Sequence, residues 1–216
     1  MPAFTYEHTP CRQPVRARLI LGSASPRRTE LCRMAGLEFT VRVADCDETV
    51  SAGTPPVVAV EHLAARKARA VEALLRGEAP YHDTYRPWIL AADTLVEIDG
   101  VPLGKPTDPA DAVRMLHMLS GHTHRVHTGV ALIAEGKLHT AVDSTAVTFR
   151  SLSEQEIWDY VASGEPLDKA GAYAIQGQGG KLVDSISGRF DTVVGLSMRR
   201  VSELMERAMS ETLTGK

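Results

Sequence analysis

The segment Gly22-Ser23-Ala24-Ser25-Pro26-Arg27-Arg28 follows a short apolar stretch and opens what reads as a helix. A strand-to-helix turn of small residues can hold phosphate, because unpaired backbone N–H groups and the positive end of the helix dipole face the ligand. Two arginines in a first helical turn oppose that dipole, so Arg27 and Arg28 point to an anion that offsets the repulsion. A solvated basic turn is the plain alternative. There is no GxxxxGK[ST] loop and no dinucleotide fingerprint in the chain. Asp93 is the second unusual residue, since Trp-Ile-Leu-Ala-Ala precedes it and Leu-Val follows after Thr94. A carboxylate inside such a strand needs a lysine, a metal ion or a water to activate; the alternative is a structural aspartate bonded to nearby backbone.

Other candidates are plainer. Lys105, in Gly104-Lys105-Pro106, leaves a hairpin where a lysine can reach back over a ligand, or it is a surface lysine. Lys67, flanked by Arg66 and Arg69, reads first as part of a solvated charged face. Glu48 follows Asp45 and Asp47 in an acidic turn that suits a hard cation or is merely solvated. His122, His124 and His127 resemble a metal constellation, but strand alternation separates them and no metal site is expected there. In Asp168–Gly177 the glycines allow backbone to approach a planar or anionic ligand, and the Gln176 amide offers one donor and one acceptor to a base edge. A loop with an internally bonded glutamine is the alternative.

The elements that must position these residues are legible from period and punctuation. Arg18–Leu21 reads as a buried strand, Ser25-Pro26 as a helix start and Gly36 as its end, and Leu37–Val43 as a second strand. Pro55 and Pro56 open a helix whose apolar residues Leu63, Ala64, Ala68, Val71, Leu74 and Leu75 recur at helical spacing. Trp88–Ile98 is β-rich, and Asp99-Gly100 turns the chain back through a type I′ hairpin. Asp108-Pro109 caps a helix to Leu119, stopped by Gly121, and a second hairpin turns at Glu135-Gly136. Ser153 and Glu156 form a capping box for a helix ending near Gly164, and a last helix covers Ser197–Met209. Gly77–Pro87 and Gly171–Gly188 read as loops within the domain. Mixed helices and strands with two hairpins predict an α/β fold on a mixed sheet.

Composition sets the frame. The 216 residues, 44% hydrophobic and 24% charged, suit one large domain or two lobes sharing a core, preceded by a polar extension over residues 1–17. A net charge of -3 gives no sequence-wide pull toward nucleic acid or anionic membrane, and no apolar run reaches membrane-spanning length. A cytoplasmic protein is expected. Cys11, Cys32 and Cys46 form no CxxC pair, so reduced thiols are expected.

Taken together, the spaced motifs resemble the Maf family of nucleoside triphosphate pyrophosphatases, from Leu19 to about Met209. They are LILGSASPRRTEL at Leu19–Leu31, DET at Asp47–Thr49, the helix carrying Lys67, ILAADTLV at Ile89–Val96, GKP at Gly104–Pro106, LSGHTHRVHTGVAL at Leu119–Leu132 and DKAGAYAIQGQGG at Asp168–Gly180. The resemblance implies an elongated mixed sheet flanked by helices, two lobes around a deep cleft and a Mg or Mn ion. It also implies hydrolysis of a nucleotide to the monophosphate and pyrophosphate. By the same resemblance Ser23, Arg27 and Arg28 bind phosphate, and Glu48, Lys67, Asp93 and Lys105 line the cleft. Asp93 is then the proton acceptor, and Glu48 with Asp93 the metal ligands. Arg28, Thr94 and Gln176 are similar to the dTTP/UTP branch rather than the branch acting on 7-methyl-GTP. The implied partner is a nucleoside triphosphate, with a homodimer as a further expected assembly. A same-fold enzyme preferring modified or purine nucleotides, or a nucleotide-binding regulator of cell division, are the other readings.

Overall fold

Proline, glycine and small polar residues set most of the element boundaries. The structure is a computed structural model that describes residues 9–14, 17–78 and 86–214. In chain order it has β1 (Leu19–Leu21), α1 (Pro26–Met34), β2 (Phe39–Val41), α2 (Pro56–Arg76), β3 (Trp88–Ile98), β4 (Val101–Leu103) and α3 (Pro109–Leu119). Next come β5 (Thr123–Ala134), β6 (Lys137–Phe149), α4 (Glu154–Ala162), β7 (Val183–Ser187), α5 (Phe190–Val194) and α6 (Met198–Thr214). Short 3-10 turns at Glu165–Asp168, Ala170–Ala172 and Gln178–Leu182 lie between α4 and β7.

The punctuation acts as its chemistry requires. Asp99 and Gly100 have φ of 51° and 79°, and Glu135 and Gly136 have 49° and 78°, the left-handed pairs that a type I′ hairpin needs. The Asp108 carboxylate accepts the Asp111 N–H at 2.8 Å, and Ser153 with Glu156 completes a reciprocal capping box. The sheet is seven-stranded, ordered β2-β1-β3-β5-β6-β7 with β4 beside β3. β1 runs parallel to β2 and β3, while β4 and β7 are antiparallel to β3 and β6. The mixed α/β sheet expected from the hairpins is therefore present.

Four readings need correction. The strand read over Leu37–Val43 contracts to Phe39–Val41, and the final helix extends to Thr214. Leu74, counted with the buried face of α2, is 41% exposed. Gly171–Gly188, read as a loop, contains 3-10 turns and β7, and α5 follows it. The β7 sequence Val-Asp-Ser-Ile-Ser is short and polar; its extended form comes from pairing with β6, where Val147 faces Ile186 and Phe149 faces Val183. Most of Gly77–Pro87, and much of the 1–17 extension, lie outside the described residues.

The chain divides into two compact units. Among the described residues one comprises 9–93, Thr128–Asp143 and 195–214; the other comprises Thr94–His127 and Ser144–Val194. In the first, Ile20, Ile89, Ala131 and Ile133 from the strands bury against Ala64, Ala68, Val71 and Leu75 of α2. The helix backbone comes so close to β5 that a Cβ on Gly129 would sit 2.2 Å from the Val60 carbonyl oxygen. Only glycine fits there. In the second unit α3 packs on α4, and His124, Phe149 and Tyr173 make edge-to-face contacts with centroids 4.9 to 5.4 Å apart.

Candidate active site

Lys67 is the centre of the first unit's chemistry. On α2 it stands four residues after Leu63 and four before Val71, both buried, so it borders the apolar stripe rather than the solvated face. Its ammonium donates to Asp93 Oδ1 at 2.5 Å and pairs with Glu48 Oε1 at 3.0 Å. Lys67 and Asp93 are 19% and 13% exposed at the side chain, whereas Glu48 is 60% exposed, so the aspartate pair is the strongly coupled one. Burial pulls the Lys67 pKa down, but the charges and hydrogen bonds of Asp93 and Glu48 outweigh it, and the ammonium ends above its ordinary value. Removing Lys67 takes the ammonium from a mostly buried Asp93 carboxylate, whereas removing Asp93 leaves Lys67 paired with the exposed Glu48. Of the partners expected for Asp93 from sequence, a lysine is present.

The phosphate-type turn lies in the same unit. The Gly22 N–H donates to the Leu90 carbonyl at 2.8 Å, and Ser23, 6% exposed, accepts the Ser25 N–H at 3.2 Å. Arg28 donates from Nε to the Gly195 carbonyl at 2.7 Å and from Nη1 to Ser23 Oγ at 3.3 Å. Burial lowers the Arg28 pKa and the negative charge of Asp93 opposes it, so turn and lysine centre share one electrostatic environment. α1 starts without a side-chain cap and with no acidic residue in its first turn, which keeps that helix end suited to an anion. Arg27 is half-buried beside it.

One contributor was not legible. Arg66, read as a solvated charge, donates to the carbonyls of Asp47 at 3.1 Å and Thr49 at 2.7 Å, gripping the turn on both sides of Glu48. Asp47 Oδ1 accepts the Thr49 N–H at 2.8 Å and tightens the same turn. Only the neighbourhood of an acidic turn and a basic helix hinted at this, because their separation in the fold is not written in the chain. Cys46 lies in the field of Lys67, Glu48 and Asp93, and burial pushes its thiol pKa up.

Thr94, Lys105 and Gln176 belong to the second unit. Lys105 and Gln176 are exposed and Thr94 is half-buried. The Gly171 N–H donates to the Gly104 carbonyl at 3.0 Å, so the glycine-rich segment is tied to the turn that carries Lys105. Gly171 and Ala172 have φ of 68° and 56°, and a Cβ on Gly171 would lie 2.8 Å from the Val96 side chain. His124 Nε2 bonds the Tyr173 hydroxyl at 2.9 Å, and His127 bridges Ser144 and Glu97. His122 is exposed, its ring bonded to the Ser120 carbonyl. Among the described residues no three His, Cys, Asp or Glu side chains gather as a metal cage. Glu48 and Asp93, two carboxylates on one ammonium, nevertheless fit Mg²⁺, which takes one or two carboxylates with substrate phosphates rather than an all-protein cage.

An ammonium held between carboxylates, in the field of a basic helix start, is an arrangement suited to phosphate chemistry on an α/β sheet. The chain belongs to the family of Maf-like proteins, whose model matches residues 18–208. It is 50% identical over 194 residues to the dTTP/UTP pyrophosphatase of Moorella thermoacetica, a match covering 88% of this chain and 94% of that one. To the dTTP/UTP pyrophosphatase of Symbiobacterium thermophilum it is 44% identical over 198 residues, covering 92% and 97%. To that of Myxococcus xanthus it is 48% identical over 190 residues, covering 88% and 92%.

Proposed function

We propose that this protein hydrolyses dTTP and UTP to the monophosphate and pyrophosphate with the aid of a divalent cation, clearing non-standard nucleotides. The observation that carries the reading is the Asp93–Lys67–Glu48 group beside the Ser23–Arg28 turn, in a chain half identical to a protein so named. In this reading a water oxygen attacks the α-phosphorus, the α–β anhydride bond breaks, and pyrophosphate leaves with the bonding electron pair. Asp93 takes the proton of the attacking water, held in place by Lys67. Ser23, Arg27, Arg28, Lys67 and Lys105 meet the phosphate charge, which grows on the leaving pyrophosphate. Glu48 and Asp93 would hold Mg²⁺ or Mn²⁺, whose chemistry when bound is to neutralise phosphate charge and polarise the phosphoryl group.

Base choice is assigned to Gln176, with Thr94 and Arg28 as the further marks of this substrate class. A glutamine amide accepts from the uracil or thymine N3–H while donating to a carbonyl, a pattern cytosine partly reverses. Cys11, Cys32 and Cys46 are in no disulfide, which suits the cytoplasmic location included in this reading. Among the described residues no helix is long and apolar enough to cross a membrane. The test is product release from a nucleotide panel with Mg²⁺ or Mn²⁺. The expected result is pyrophosphate, with dTTP and UTP at comparable kcat/KM and CTP and purines well behind. Orthophosphate as first product would defeat the reaction assigned, a purine or 7-methyl-GTP ahead of UTP would favour the other substrate class, and binding without turnover would favour a regulator.

A further inference from the structure

The loop that carries Gln176 is held by the carboxylate of Glu165, 13 positions before Gln178. Glu165, just past the end of α4, accepts the Gly179 N–H at Oε1 and the Gln178 N–H at Oε2, each at 3.0 Å. The Tyr160 hydroxyl donates to the same Oε1 at 2.8 Å and accepts the Ala174 N–H at 3.1 Å. Carboxylate and phenol together therefore fix backbone on both sides of Gln176. The glycines are explained by this arrangement rather than by looseness. A Cβ on Gly177 would lie 2.3 Å from Glu165 Oε2, and one on Gly179 would lie 2.5 Å from the Tyr160 hydroxyl. Burial pushes the Glu165 pKa up, but the loop N–H groups, Tyr160 and Lys169 outweigh it, so the carboxylate is held below its usual range and ionised at neutral pH.

We infer that Glu165, bridged by Tyr160, is a positioning residue that sets the pose of the Ala174–Gly179 loop and thereby the base preference. The inference rests on the reading that this loop meets the base. A charged acceptor of backbone N–H groups is geometrically strict, because an amide in its place turns a donor toward an N–H and forces the loop to shift. A loop shifted by a fraction of an ångström weakens base contacts while leaving the phosphate chemistry of Asp93 and Lys67 in place.

The experiment is steady-state turnover of UTP and CTP by the full chain with Mg²⁺, for wild type, Glu165→Gln, Tyr160→Phe and Gln176→Ala. Glu165→Gln is expected to raise the UTP KM about tenfold, with kcat within about threefold of wild type. It should also narrow the UTP-to-CTP ratio of kcat/KM. Tyr160→Phe, which keeps the ring and removes only the bridging hydroxyl, should shift both in the same direction by about threefold, and serves if Glu165→Gln fails to fold. A loss in kcat alone, or an unchanged UTP-to-CTP ratio in the folded Glu165 and Tyr160 variants while Gln176→Ala narrows it, overturns the role of Glu165 and leaves the base reader standing. A ratio narrowed by Glu165→Gln but untouched by Gln176→Ala supports the loop's control by Glu165 and removes Gln176 as the reader. If none of the three substitutions moves the ratio, both assignments fall.

Discussion

In the first unit a lysine ammonium is gripped by side chains on a helix, a strand and a short turn; in the second a glutamate carboxylate is surrounded by the backbone N–H groups of a glycine-rich loop. The two centres invert each other in charge and in what they hold fixed. Lys67 and Asp93 stand on regular elements whose backbones are already satisfied, so only side-chain charge is being arranged. Glu165 supplies the hydrogen bonds that Gln178 and Gly179 would otherwise lack, so it determines where backbone goes. Damage to the first centre should therefore appear in the chemical step. Damage to the second should appear in binding and selectivity.

The largest effect expected is that of Asp93→Asn, which keeps shape and removes charge at the first centre. It should lower kcat for UTP about 10²-fold or more while the circular dichroism spectrum stays that of a folded protein. A wild-type rate in the purified variant would make Asp93 structural only and erase the contrast.

Acid and alkali should separate the two units next. Burial holds the folded His124 pKa down at about 4, below the unfolded value of about 6.5, so between these values the unfolded chain binds a proton that the folded one refuses. Stability then falls as pH drops through that window, by about 3–4 kcal/mol for the full shift. Urea midpoints measured from pH 7 to 4 should show it, and His124→Gln should flatten it. A His139→Gln background removes another histidine whose pKa burial lowers. The Lys67 pair works in the opposite sense. With its folded pKa raised, its contribution is complete below the unfolded value of about 10.4 and is lost only as pH climbs through the folded pKa. Equal acid slopes in His124→Gln and its parent would remove the second unit from that account.

Gly177→Ala places a methyl against Glu165 and should raise the UTP KM about tenfold with kcat nearly intact. If kinetics were unchanged, the loop would be tolerant and its glycines unexplained. The smallest effect belongs to Arg66→Ala, which frees the turn holding Glu48 and should reduce kcat/KM about two- to fivefold, because its hydrogen bonds are exposed. A loss as large as that of Asp93→Asn would promote Arg66 from a brace to a primary group.

Asp93 was legible because a carboxylate in a run of buried β-formers is a local contradiction, and the contradiction names its remedy, an opposite charge. Lys67 was less so. Its neighbours Arg66 and Arg69 make it look solvated, and only its place at the margin of the Leu63–Val71 stripe turns it inward. The Gly22–Arg28 turn was visible as a phosphate-type motif, but the capture of Arg28 by the Gly195 carbonyl, 167 positions away, was not. β7 escaped for the same reason, since its polar residues become a strand only by pairing with β6.

The amino-acid sequence by itself determined most of the element boundaries, through prolines, caps and left-handed hairpin turns, and the residue types available for phosphate chemistry, through charges placed where local rules disfavour them. Those are short-range effects, decided within a few residues by sterics and backbone hydrogen bonding. Tertiary structure alone decided which charge meets which: that Lys67 takes Asp93, that Arg66 braces the turn of Glu48, and that Glu165 and Tyr160 fix the loop around Gln176. The reason is that an ion pair or a bond to backbone N–H depends on distance in space, and distance in space follows from how α2, β3 and α4 pack rather than from any local preference.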